Sequence, residues 1–105
     1  MIKNAKQELL DIIVLENLTI LKIEITYNHA DYDISCDNYN TIIKDITTLD
    51  DLDFDYDAGY GTQELFGVVY CKDSNNYPVW LTRGEYDGKE WWEINTIPDF
   101  YNSIN

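Results

Sequence analysis

The run Asp50-Asp51-Leu52-Asp53-Phe54-Asp55-Tyr56-Asp57 sets carboxylates at 51, 53, 55 and 57, with apolar residues between them at 52, 54 and 56. In an extended strand this alternation sends every acid to one face and Leu52, Phe54 and Tyr56 to the other. Side-by-side carboxylates repel, so such a row reads as a surface made to meet positive charge. Residues two apart along a strand are about 6.6–6.8 Å apart, which in projection matches every second phosphate of a DNA strand rising about 3.4 Å per nucleotide. The chemistry on offer is electrostatic, an imitation of a nucleic-acid backbone toward a basic groove on another protein. The competing reading is a sheet edge guarded by charge against aggregation.

The same acids invite a test for a divalent-cation site. Asp53, Asp55, Asp57 and Glu64 fall at positions one, three, five and twelve of a calcium-loop template. The sixth position needs glycine and holds Ala58, with Gly59 one residue late, and no amphipathic helix precedes Asp53. An EF-hand is excluded, and an opportunistic Ca²⁺ or Mg²⁺ site stays open as an alternative. His29, Cys36 and Cys71 could give zinc three ligands, but they lack the Cys-x-x-Cys pairing that makes such a reading specific. His29 reads more simply as a surface residue and Cys71 as a small core hydrophobe.

Catalysis has the least support. No third group or oxyanion element accompanies His29 and the cysteines, and Gly59-Tyr60-Gly61 lacks the lysine and hydroxyl of a phosphate loop. The expectation is a binding protein, not an enzyme, with no cofactor. Trp91 and Trp92 are adjacent, so in a strand they point to opposite faces. Burial of both under the helix and a tail carrying Phe100 and Tyr101 is the expectation for ordinary packing. If one faces solvent beside Glu90 and Glu93, it becomes a contact anchor, and Trp92 is the candidate.

Composition narrows the class of partner. The 105 residues carry 20 acids against 7 bases, a net charge of −13, together with 14% aromatic residues. The aromatic content excludes a disordered acidic tail, and the length suits a single domain spanning 1–105. Residues 31–57 hold nine acids (31, 33, 37, 45, 50, 51, 53, 55 and 57) against Lys44 alone, a net −8. Nucleic acid and anionic membrane would be repelled by this charge, whereas a basic protein would be attracted. The expected contact set is Asp50, Asp51, Asp53, Asp55 and Asp57, supported by Asp31, Asp33 and Asp37, with Tyr56, Tyr60 and Trp92 supplying apolar contact. The start of the chain shows no signal core, and no apolar segment approaches spanning length, so a reduced cytoplasmic setting is expected.

These residues must be positioned by a small set of elements. Ala5, Leu9, Ile12 and Ile13 follow three-four spacing and predict a helix over residues 2–15, stopped by Glu16-Asn17. Period-two alternation over 18–27 predicts a strand with Leu21, Ile23, Ile25 and Tyr27 toward the core. Residues 28–40 read as a polar loop in which Tyr32 and Ile34 could form a short strand. Residues 41–52 fit a short helix through Ile42, Ile43, Ile46, Leu49 and Leu52, although strand and loop readings stay open across 41–57. Runs at 64–72, 79–86 and 90–96 predict strands, the first two joined by Asp73-Ser74-Asn75-Asn76 and the last two by the hairpin signal Asp87-Gly88. The fold class is α+β: an N-terminal helix packed on an antiparallel sheet of about four strands, ending in a meander.

Two segments, Asp55-Tyr56-Asp57-Ala58-Gly59-Tyr60-Gly61-Thr62-Gln63-Glu64-Leu65-Phe66-Gly67 and Arg83-Gly84-Glu85-Tyr86-Asp87-Gly88-Lys89-Glu90-Trp91-Trp92-Glu93, resemble small uncharacterised acidic proteins of bacteriophages and mobile elements. The resemblance covers the C-terminal half and brings no activity and no functional residues. It implies a setting of phage–host conflict, and for a phage-encoded chain the host cytoplasm. In that setting a nucleic-acid mimic would antagonise a defence nuclease or CRISPR effector. An immunity protein neutralising a toxic nuclease uses the same electrostatics and is the alternative.

Overall fold

A computed structural model of the chain describes residues 2–33, 38–59 and 62–97. The order is β1 (Ile2–Asn4), α1 (Ala5–Leu15), β2 (Thr19–Asp33), β3 (Asn38–Ile46), a 3-10 turn (Asp50–Leu52), β4 (Asp55–Asp57), β5 (Leu65–Lys72), β6 (Pro78–Tyr86) and β7 (Lys89–Thr96). The fold is α+β. An antiparallel sheet runs β3-β2-β5-β6-β7, and β1 pairs with β4 in a second, two-stranded sheet. The main sheet therefore has one strand more than the sequence suggested, because residues 38–46 form a strand.

Helix α1 begins one turn later than its periodicity implied. Ile2–Asn4 pairs with Asp55–Asp57, and Asn4 caps the helix by accepting the Gln7 N–H at 2.9 Å. Ala5 and Leu9 are fully buried against the sheet, with Ile12 and Ile13 beside them. The end is a Schellman motif: Asn17 adopts φ 52°, its N–H reaches Val14 O, and Leu18 N–H reaches Ile13 O.

In β2 the expected core set needs one correction. Leu21 is 61% exposed, because the register with β5 slips between Ile20 and Lys22 and leaves Leu21 as the extra residue of a bulge. Ile20 faces the core before the bulge, and Ile23, Ile25 and Tyr27 face it after. Within the polar stretch expected to be a loop, residues 28–33 and 38–40 are strand. β2 continues to Asp33, and past Asn28, whose N–H still reaches Glu64 O at 2.8 Å, its ladder partners are in β3. Residues 41–46 are strand and not helix. Their β-branched run suits the pleat, with Ile46 buried and Ile43 exposed.

The C-terminal meander follows its sequence signals. Asp73 accepts the N–H groups of Asn75 and Tyr77 in the β5–β6 turn, while Asp87 (φ 53°) and Gly88 (φ 82°) make the two-residue β6–β7 hairpin. Leu65, Val69, Cys71, Val79, Leu81 and Trp92 complete the core on the helix side of the sheet. Cys71 is buried as expected, and burial raises its thiol pKa. Among the described residues, no helix is long and apolar enough to cross a membrane.

Candidate functional site: an acidic face seated on a buried arginine cluster

The acidic run is not one continuous strand. Asp50–Leu52 is a 3-10 turn, and only Asp55–Asp57 is extended. Its alternation of burial holds through Asp55, whereas Asp57 is half-buried. Leu52 is fully buried, Tyr56 is 3% exposed and Phe54 packs on the core, while Asp51, Asp53 and Asp55 are exposed. Phe54 lies against Tyr27 (centroids 4.6 Å apart) and beneath Lys44, and so pins the run to the root of the β2–β3 ribbon. Three apolar anchors on one side leave the acids on the other no option but solvent.

The carboxylates also have local roles that the sequence did not disclose. Asn4 Nδ2 donates to Asp53 Oδ1 (3.0 Å) and Asp55 Oδ1 (3.3 Å), so the helix cap bridges two acids of the row. Lys6 pairs with Asp50 at 3.3 Å, and Asp57 accepts the Gly59 N–H. The positive end of α1 thus lies beside Asp50, Asp53 and Asp55 and offsets part of their mutual repulsion. Asp53 and Asp55 thus also contribute to folding, by orienting the side chain that caps α1.

Below this face lies a buried charge cluster. The Arg83 side chain is 2% exposed and that of Glu90 fully buried. Arg83 donates to Glu8 Oε1 (3.2 Å), Glu90 Oε1 (2.7 Å) and the Tyr56 hydroxyl (2.9 Å), and its guanidinium stacks 4.6 Å from the Trp92 ring centroid. Tyr56 in turn donates to Glu8, which also pairs with Lys3. Glu90 accepts the backbone N–H groups of Glu64 and Leu65. The cluster joins α1, β4, β6, β7 and the start of β5. Burial would lower the Arg83 pKa, but Glu8, Tyr56 and Glu90 outweigh it and hold the pKa above its usual value. Burial, then the bond to Glu8, raise the Tyr56 phenol well above 10.0, against the pull of Arg83.

Several expected contact residues are placed elsewhere. Tyr56 is in the core and cannot supply apolar contact. Trp92 is likewise buried at 6% exposure and serves as the floor for Arg83. Trp91 is the exposed member at 38%, lying over Gly84 on the uncovered face of the sheet with its indole held by Glu93. Both the burial of the pair and the choice of Trp92 as anchor are therefore corrected. β7 is an edge strand of the main sheet. Asp31 and Asp33 belong to the ribbon, four and six residues beyond Tyr27, or about 13 and 20 Å along the strand. Their backbone positions thus lie away from the row. Asp37, Tyr60 and Cys36 lie outside the described residues.

The calcium-template residues are engaged separately. Glu64 is 9% exposed and holds His29 Nδ1 at 2.9 Å, while Asp53 and Asp55 face Asn4. Among the described residues no group of three or more potential ligands could hold a metal ion. His29, expected at the surface, is thus half-buried in a specific pair. Comparison with known protein families, curated sequences and solved structures finds no match for this chain.

Proposed function

We propose that this protein is a non-enzymatic acidic binder that occupies a basic, nucleic-acid-binding surface of a partner protein. The observation that carries the reading is the row Asp50, Asp51, Asp53 and Asp55, exposed together on a backbone fixed by Leu52, Phe54 and Tyr56 in the core. A fixed row of negative charge offers a basic groove what a phosphate backbone offers, and a net charge of −13 steers such a partner in from a distance. Asp31 and Asp33 stand farther along the ribbon strand, and Trp91 supplies an exposed aromatic contact. The phage setting implied by the resemblance supplies the biology: an antagonist of a host nuclease or CRISPR effector.

The test is capture from host lysate at low salt, with wild type against a variant carrying Asp50→Asn, Asp51→Asn, Asp53→Asn and Asp55→Asn. Asparagine keeps a carbonyl acceptor for Asn4 Nδ2, so the fold should survive. The expected result is a basic nucleic-acid-binding protein retained by wild type alone and released as salt rises. Equal retention by both forms contradicts the proposal.

A further inference from the structure

Helix α1 covers one face of the main sheet. The other face is built from the alternate strand positions, which in an antiparallel sheet with a solvated face are normally polar. Here they are not. Val69 and Cys71 turn toward the core, so Phe66, Val68 and Tyr70 turn away from it. The register carries this face across β6 and β7: Tyr70 lies opposite Trp80, and Gly84 lies opposite Trp91, whose indole rests over the glycine. Phe66 and Tyr70 each keep 41% of their surface exposed and Trp91 keeps 38%, with Val68 and Trp80 half-buried beside them. Pairing of Tyr70 with Trp80 steadies the sheet, but Thr or Val would serve there without leaving aromatic surface in water. A band of this kind marks an interaction surface.

The same face is neutral. Among the described residues its strand positions hold three acids, Glu24, Asp45 and Glu93, and three bases, Lys22, Lys72 and Lys89. The whole chain carries −13, so the surplus of acids lies outside these positions. The exposed row from Asp50 to Asp55 belongs to the helix side, where Tyr56 fastens it to Glu8 and Arg83. A strongly charged partner of either sign finds no counter-charge on the aromatic face. A second copy of the chain finds a matching neutral aromatic surface, and it can approach there while both acid rows point outward.

We infer that the protein self-associates through this face, two copies stacking their sheets about 10 Å apart in a two-fold dimer. Strands β2, β5, β6 and β7, about 4.8 Å apart and about 3.4 Å per residue, give a face of about 19 × 27 Å, or roughly 1,000 Å² for two copies. That reaches the lower bound for a specific interface and corresponds to a weak, reversible dimer. Dimerisation covers Trp91, so the partner contact assigned to that side chain belongs to the monomer, whereas the acid row stays free in both states. The inference therefore does not depend on the proposed nucleic-acid mimicry.

The test is sedimentation velocity from micromolar to millimolar protein at low and high salt. Expected is a monomer–dimer equilibrium at tens to hundreds of micromolar that tightens several-fold as salt rises, because screening relieves the repulsion between two like-charged chains. Binding of a basic partner to the acid row has the opposite salt dependence. Phe66→Lys and Tyr70→Lys, with folding checked by thermal melting, should each weaken the dimer by at least about tenfold, since an unpaired ammonium would be buried. Val14→Lys with Leu15→Lys, at the exposed apolar end of α1, should leave it unchanged, and the four-fold asparagine variant should dimerise at least as tightly. In wild-type protein, which needs no substitution, the Trp80 and Trp91 indole protons should shift with protein concentration and that of Trp92 should not. A monomer at millimolar protein in high salt, a dimer that survives both face substitutions, a dimer abolished by the α1 substitutions, or unmoved Trp80 and Trp91 signals would each overturn the inference.

Discussion

At the scale of single residues, Arg83 decides the most. Its guanidinium is held by Glu8, Glu90 and Tyr56 and stacked on Trp92, so one side chain closes helix, sheet and the acidic segment together. Replacing it by methionine leaves the Glu90 and Glu8 carboxylates buried without their partner, and the expected loss is about 3–5 kcal/mol in denaturant unfolding. Adding Glu90→Gln should recover part of that loss, because the two changes act on one network. A loss below about 1 kcal/mol for Arg83→Met would contradict the assignment. Tyr56 gives a pH signature. Its folded pKa is raised above 10.0, so its contribution is intact below pH 10 and is lost as pH climbs through the folded value. Wild type should therefore lose stability above pH 10 more steeply than Tyr56→Phe, and tyrosine absorbance should show one phenol ionising only with unfolding. Little of this was legible beforehand. Glu90 lies seven residues from Arg83 across the hairpin that Asp87-Gly88 predicts, but Glu8 lies 75 residues away, and nothing in that spacing marks it as a partner. The signal available was the scarcity of bases in so acidic a chain, which makes any arginine worth following.

At the scale of elements, local signals were readable and long-range pairings were not. The β6–β7 hairpin follows from Asp87-Gly88, and the helix stop from Glu16-Asn17, because in both cases the residues that set the geometry are neighbours. β1 was missed because a three-residue strand has no periodicity of its own, and its partner β4 is some fifty residues away. The ribbon beyond Asn28 was missed because Asp and Asn favour turns, and its strand character comes from pairing with β3. Ile42, Ile43, Ile46, Leu49 and Leu52 fit both a helix and a strand followed by a turn, and β-branching favoured the strand. Gly67 carries a prediction at this scale. It sits at φ 130° opposite Ile25, where an added Cβ would stand 2.0 Å from Glu24 O. Gly67→Ala should cost about 1–3 kcal/mol and loosen the β2–β5 pairing, read as faster amide exchange at Ile25. Unchanged melting would show that the strands separate freely there.

At the scale of the whole molecule, charge and shape act together. The chain measures 60 × 27 × 20 Å, long for its size, and the β2–β3 ribbon reaches past the body of the sheet. The acidic surface runs from the helix N-terminus across the row Asp50 to Asp55. The composition motivates the basic partner proposed for this protein. It did not disclose that the acids are mounted on Asn4 and α1, because that needs the β1–β4 pairing. The most direct measurement of the central claim is displacement. Labelled nucleic acid is loaded on the captured basic partner, and its release is followed as this protein is added. The account predicts stoichiometric release by wild type, shifted to much higher concentration for the four-fold asparagine variant and suppressed by salt. A stable ternary complex, with nucleic acid still bound, would contradict it.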